Sequence, residues 1–565
     1  MNLQGLNLSG SLADGEWAWT QNVDTALCPM IRRREKRMLV GRLDKPNGLF
    51  AADKIAFVDG TKFYYNGYYY GDVEDSFKQM AAMGSKICLM PDKVFFDTET
   101  CIITPMEQRN TTTDKTAVSL AKADGTPWEE YTTSSTEPVS PADGMCWLDT
   151  SGDAPVMKVW SETSGMWVEE GTVCVCVSSP GIGTGLAADD GVTVSGLTQA
   201  ELNGDWILSH ASDDCIVYTG ILSEAATQDS PVTVERTCPD MDYIVEHDNR
   251  LWGCSSAEHE IYCCALGDPT NWRKYAGLAT DSYAVTVGTP GNFTGMAVIG
   301  DCVVAMKKSA IHKIYGDYPA TYQVYTYNYR GVEDGSAASL VRIGELLYYK
   351  SDFDCCVYDG SEVASISGAL GVHRFGKAVA GANDRRLYIS MQDESGEWQL
   401  LTYDTVRRLW MREDGMQALA FASCQTETFM LAADGGVWAL REGVYAKDFY
   451  MLGSDYKVEA ATEPDAEVPW MVRSGEMLSA IPDTKWINRL QVLMDMEEGA
   501  SAEIALRRDG GTWETVLRVD ATEKRRYHLP IRPRRCDRLE IEIRGKGDVK
   551  IVNISRAMSA GSEYR

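Results

Sequence analysis

A mainly β chain, with a β-propeller of about seven blades at its centre, is the fold class this sequence predicts. Three observations carry that reading. The first is a strand–turn–strand unit that recurs between about residues 240 and 440, with central apolar positions at Leu251, Val303, Leu347, Leu387 and Phe429 separated by 52, 44, 40 and 42 residues. A period near forty built from short β-type runs is the mark of propeller blades. The second is the supply of strand-forming aromatics, 27 Tyr, 15 Trp and 12 Phe, which suit a half-buried pleated surface. The third is 50 Gly residues, enough for the many tight turns such a chain needs, with little helical periodicity anywhere. A lone four-stranded sheet cannot bury both faces. Stacked sheets can, so the repeat favours a closed ring.

Taken in order, residues 1–105 read as a lead-in and the first blades. The lead-in carries Trp17, Trp19 and Val23, then a basic run of Arg32, Arg33, Arg34, Lys36 and Arg37, either a contact strip for an acidic partner or a solvated edge. Asp59-Gly60 and Asn66-Gly67 are hairpin signals within a Tyr-rich region. Lys86 to Met90, a turn at Pro91-Asp92-Lys93, then Val94-Phe95-Phe96 reads as another hairpin. These two units and the five downstream give about seven blades, and strands from both chain ends can share one blade.

Residues 106–237 break the period and read as one or two inserted small β modules around Cys146-Trp147-Leu148, Val156 to Trp160, Met166-Trp167-Val168 and Val173 to Val177. Insertions in such connections cost little closure entropy. Residues 238–455 hold the remaining blades. Residues 456–565 read as a C-terminal β-sandwich, with Leu539, Ile541 and Ile543 alternating with Glu540, Glu542 and Arg544, and a hairpin turning at Asp509-Gly510-Gly511. Its second half is Arg-rich. Arg525, Arg526, Arg532, Arg534, Arg535 and Arg538 are candidate interaction residues there, against the alternative of a solvated face.

The net charge of −28 argues against a free, sequence-independent nucleic-acid binder, which is normally basic. It permits a wall around DNA that does not grip it. The 16 cysteines form no paired Cys-x-x-Cys set, so neither a zinc site nor a cofactor is expected, and the thiols read as free in a reducing cytoplasm. No signal peptide and no membrane span are expected. The six histidines form no close ligand set, and no Gly-x-Ser-x-Gly elbow occurs. Gly371 to Ala378 nearly matches a phosphate-binding loop, but Ala378 stands where Ser or Thr would hold magnesium. Carboxylate pairs for glycoside hydrolysis are defined by separation in space, which 82 Asp and Glu residues do not reveal. On these grounds no catalytic or metal residue is assigned, and the chain is expected not to be an enzyme.

Asp248-Asn249-Arg250-Leu251-Trp252-Gly253, Ile261-Tyr262, Gly267-Asp268-Pro269-Thr270-Asn271-Trp272 and Ile311 to Gly316 together resemble tailed-phage virion proteins described as packaged-DNA stabilisation, tail-hub or nozzle proteins. In these, an asparagine-arginine-leucine-tryptophan strand opens a blade and a proline-x-asparagine-tryptophan corner closes it. The match is best over residues 239–445. The resemblance implies a ring-forming structural component at the head-to-tail junction, made in the host cytoplasm and located in the virion. It would partner with itself, with portal, adaptor or other tail proteins, and with packaged double-stranded DNA passing through its channel, with no membrane partner. The alternative is a glycan-binding or glycan-cleaving propeller protein of a phage tail or cell surface.

Overall fold

The computed structural model describes residues 3–128, 130–152, 154–442, 463–464, 468–477, 485–531, 536 and 538–560. The chain is mainly β, 53% strand and 2% helix, with antiparallel pairing dominant. No helix among the described residues is long and apolar enough to cross a membrane. The chain divides into two compact units, the first made of Met1–Lys78, Pro290–Lys313 and Tyr325–Arg565, the second of Gln79–Thr289 and Ile314–Val324.

Six four-stranded antiparallel sheets and one five-stranded sheet among the described residues follow one plan, in which consecutive strands pair with their neighbours. The repeat read from the sequence is the second strand of five of them, Arg250–Ser255, Cys302–Lys307, Leu346–Lys350, Arg386–Gln392 and Glu427–Ala432. Leu251, Val303, Leu347, Leu387 and Phe429 are all buried, because an inner strand has both faces covered and reads as a continuous apolar run. The two earlier hairpins belong to the other two sheets, which run from Pro46–Ala51 to Tyr68–Asp72 and from Gln79–Met83 to Ile102–Pro105. At Asn66-Gly67 both residues have positive φ, 53° and 77°, and Tyr65 pairs with Tyr68 across them, as a tight two-residue hairpin turn requires.

In the first unit, the last of these sheets is completed from the other end of the chain. Ala418–Cys424, Glu427–Ala432 and Gly436–Ala439 are joined by Met38–Arg42, which pairs with Gly436–Ala439 on one side and Glu463–Pro464 on the other. The residues before it are equally committed. Trp17–Gln21 extends a five-stranded sheet with Trp470–Ser474, Leu539–Lys546, Ser501–Arg508 and Glu514–Asp520. Val23–Asp24 and Ile31–Arg33 join a second sheet with Val549–Ala560, Lys485–Met496 and Arg525–Ile531. Trp17, Val23 and Ile31 share one apolar core with Trp470, Val492, Ile504, Ile541, Ile543 and Ile551. The C-terminal sandwich is therefore built from both chain ends rather than from residues 456–565 alone. Leu539, Ile541 and Ile543 face its core as the alternation predicts.

Two residues of the basic run, Arg34 and Arg37, are buried and turned inward rather than presented as a contact strip or a solvated edge. The Arg37 guanidinium donates to Glu413 at 2.5 Å and to Asp414 at 2.8 Å, while Arg34 donates to Asn22 at 2.8 Å and lies 3.5 Å from Asp414. Burial pushes the Asp414 carboxyl up, but Arg37 and Arg34 outweigh it and hold the group below its usual value. Main-chain bonds reinforce the seat: Leu6 N donates to Trp410 O, Leu8 N to Ala369 O and Asn22 N to Glu413 O. At Gly5 a Cβ would stand 2.8 Å from Trp410 O, so only glycine fits this close approach.

Removing one partner of a buried ion pair strands the other in a low-dielectric site. Arg37→Ala is expected to cost about 3–5 kcal/mol in urea unfolding. Arg42→Ala, which breaks the exposed pair with Asp434, should leave the midpoint within error. Equal, small effects from both would refute the buried clasp.

Candidate functional site

Residues 248–282, which include Asp248–Gly253, Ile261-Tyr262 and Gly267–Trp272 of the sequence resemblance, form one constellation in the second unit. Asp248 and Asn249 have φ of 52° and 55° and make the tight turn between Tyr243–His247 and Arg250–Ser255. Short polar side chains are the ones that tolerate this conformation. The Arg250 guanidinium is buried and donates to three main-chain carbonyls, Cys264 at 2.9 Å, Asp281 at 2.5 Å and Ala279 at 2.6 Å. It thereby folds the long connection between Glu260–Cys263 and Tyr283–Thr286 back onto the sheet. Trp252 is buried against the rings of Tyr283 and Tyr322. Trp272 is buried too, its indole N–H donating to Pro269 O at 2.8 Å.

The same connection clamps the inserted region. Asn271 donates to Asp189 O at 2.8 Å and accepts from Gly191 N at 3.2 Å. Lys274 pairs with Asp189 at 2.8 Å, and Arg273 donates to Thr193 at 2.9 Å and pairs with Asp205 at 3.1 Å. The insertion contains an eight-stranded arrangement of residues 108–236 and a four-stranded sheet from Tyr131–Ser134 to Met166–Glu169.

Beside this clamp lies an open groove of ≈ 980 Å³ whose lining includes Lys93, Glu107, Asp205, Trp206, Asp240, Glu258, Glu260, Tyr262, Trp272, Arg273 and Tyr275. Five of these are carboxylates and two are cations. Lys93 bridges Glu107 at 2.9 Å and Asp240 at 2.7 Å. The Trp206 ring stacks on Tyr218 and donates to Leu202 O, which fixes its plane. Tyr275 is 54% exposed. Burial pushes the Tyr262 phenol up, and its hydrogen bond to Glu260 with the charges of Glu260 and Glu258 adds to the rise. Fixed rings beside hydrogen-bonding groups in a concave site are the ordinary make-up of a small-ligand site. The sequence reading did not find this groove. Its residues come from four separate stretches, and the only local signal was the aromatic content of residues 262–275.

The candidate interaction arginines lie elsewhere. Arg525 pairs with Glu523 at 3.1 Å and sits 4.7 Å from the Tyr527 ring. Arg526 pairs with Asp495 at 2.6 Å. Arg538, next to a strand of the other sheet, pairs with Glu476 at 3.0 Å and takes its main-chain N–H to Asp509. Arg532, Arg534 and Arg535 lie outside the described residues. Neighbouring arginines are likewise matched within the chain, Arg507 with Glu540 and Arg473 with Glu542. Among the described residues no group of His, Cys, Asp and Glu has metal-holding geometry. Gly376–Asn383, which begins within the near-match to a phosphate-binding loop, is a strand rather than a helix.

No protein-family model and no curated protein matches this sequence. Solved structures do resemble the chain. An exo-β-1,3-galactanase from Phanerochaete chrysosporium, solved with galactose, is 7% identical at a TM-score of 0.20, over 54% of this chain and 92% of that one. A glycoside hydrolase family 43 arabinoxylan arabinofuranohydrolase from Bacillus subtilis is 9% identical at 0.17, over 72% and 93%. A Trypanosoma rangeli sialidase is 8% identical at 0.21, over 97% and 94%. These neighbours are all enzymes, which runs against the expectation from the sequence that the chain is not one. At such TM-scores the likeness carries no argument about what reaction, if any, this chain performs.

Arg250→Lys keeps the charge but offers one ammonium to three carbonyls. It is expected to cost about 2–3 kcal/mol and to open the 275–281 segment to proteolysis. Unchanged unfolding and an uncut segment would show that this loop is held by something other than Arg250.

Proposed function

We propose that the chain is a structural component of a tailed-phage virion, a propeller-based subunit of a ring at the head-to-tail junction or tail nozzle that continues the DNA channel and retains the packaged genome. One observation carries the reading: the residues of the phage-protein resemblance are spent on rigidity. Arg250 organises a corner through three carbonyls, Trp252 and Trp272 fill the core, and Asn271 clamps the inserted region. A subunit that transmits load in a ring needs such corners. Seven sheets of one plan suit a closed propeller, and a wall with the chain's net charge of −28 repels DNA enough to let it slide.

The test is where the chain ends up. Particles made by cells carrying this gene with its genomic neighbours should contain the chain in a fixed copy number, and gold-labelled antibody should mark the tail or its junction. Particles that form, hold DNA and lack the chain would overturn the proposal.

A second reading, a glycan-binding or glycan-cleaving protein of a phage tail or cell surface, is favoured by the groove lined with Trp206, Tyr262, Tyr275 and five carboxylates. The two readings are compatible, since a tail component can also meet a cell-surface glycan.

A further inference from the structure

We infer that the groove of the second unit selects saccharides that carry no acidic group, taking neutral or amino-sugar pyranoses and rejecting uronates and sialylated chains. This rests on the second reading, that the groove takes a glycan, and adds which glycan. A pyranose shows C–H groups on one face and hydroxyls around its edge. Aromatic ring faces are electron-rich and meet such C–H groups well. Tyr275 offers an exposed ring beside Tyr262, while Trp206 is held rigid by its stack on Tyr218. Rigid rings lose little entropy on binding.

The edge groups set the selectivity. Ionised carboxylates only accept hydrogen bonds, so they suit hydroxyl and ammonium donors. Both cations of the lining are already engaged, Lys93 with Glu107 and Asp240, Arg273 with Asp205. Glu258 is exposed on the groove wall and forms no ion pair among the described residues. An acidic sugar would therefore meet surplus negative charge with no cation released to match it. An amino sugar would find Glu258 and the Tyr275 face, both favourable to an ammonium.

Isothermal titration of the full chain with a neutral oligosaccharide (cellotetraose), a glucosamine tetramer and a tetragalacturonate tests this. The first two should bind and the third should not. Tyr275→Ala should weaken both by about tenfold. Glu258→Gln, isosteric and exposed, should weaken only the glucosamine tetramer, by about threefold. Tetragalacturonate binding as tightly as the others would overturn the charge selection and leave the glycan reading standing. No binding of any of the three would sink both. Binding that ignores Tyr275→Ala in a normally folded variant would place the site elsewhere and overturn the assignment to this groove.

Discussion

The first forty residues are the constraint on which the first unit depends. A strand at the edge of a sheet exposes a ladder of unpaired donors and acceptors, and an uncovered ladder invites aggregation. In the first unit the lead-in covers three such ladders in succession. It adds Trp17–Gln21 to one C-terminal sheet, Ile31–Arg33 to the other and Met38–Arg42 to the five-stranded sheet that begins at Ala418–Cys424. Arg34 and Arg37 fix its position by meeting Glu413 and Asp414 in a buried site. Buried ion pairs are poor sources of net stability but good determinants of register, since a shifted strand would leave charges unmatched.

The repeat was legible because inner strands carry a local signature. Leu251, Val303, Leu347, Leu387 and Phe429 each sit in a short apolar run followed by a turn and a second run, and the spacing alone locates five sheets. What stayed hidden was pairing between distant segments. Arg34 and Arg37 read as part of a contact strip or a solvated edge because their partners lie some 377 residues away, and sequence spacing gives no hint of an ion pair at that distance. The sandwich was legible through the alternation at Leu539, Ile541 and Ile543, but not its dependence on Trp17, Val23 and Ile31.

Charge shows the same limit. The arginines of the C-terminal half stand out in an acidic sequence and suggest a free basic face. In the fold Arg507 meets Glu540, Arg473 meets Glu542 and Arg526 meets Asp495, so each of these three charges is matched across a strand pair. In the second unit the groove keeps a surplus of carboxylates instead. The corner around Arg250 and Asn271 and the groove beside it divide the labour there: the first fixes the connection, and the second gains rigid walls from it.

Native-state hydrogen exchange on the intact chain tests the central role of the lead-in most directly. Strands that open together share one opening free energy. The account predicts that amides of Trp17–Gln21, Ile31–Arg33 and Met38–Arg42 exchange as slowly as those of their partners Trp470–Ser474, Val549–Ala560 and Gly436–Ala439. Lead-in amides that exchange like a frayed terminus while those partners stay protected would contradict it.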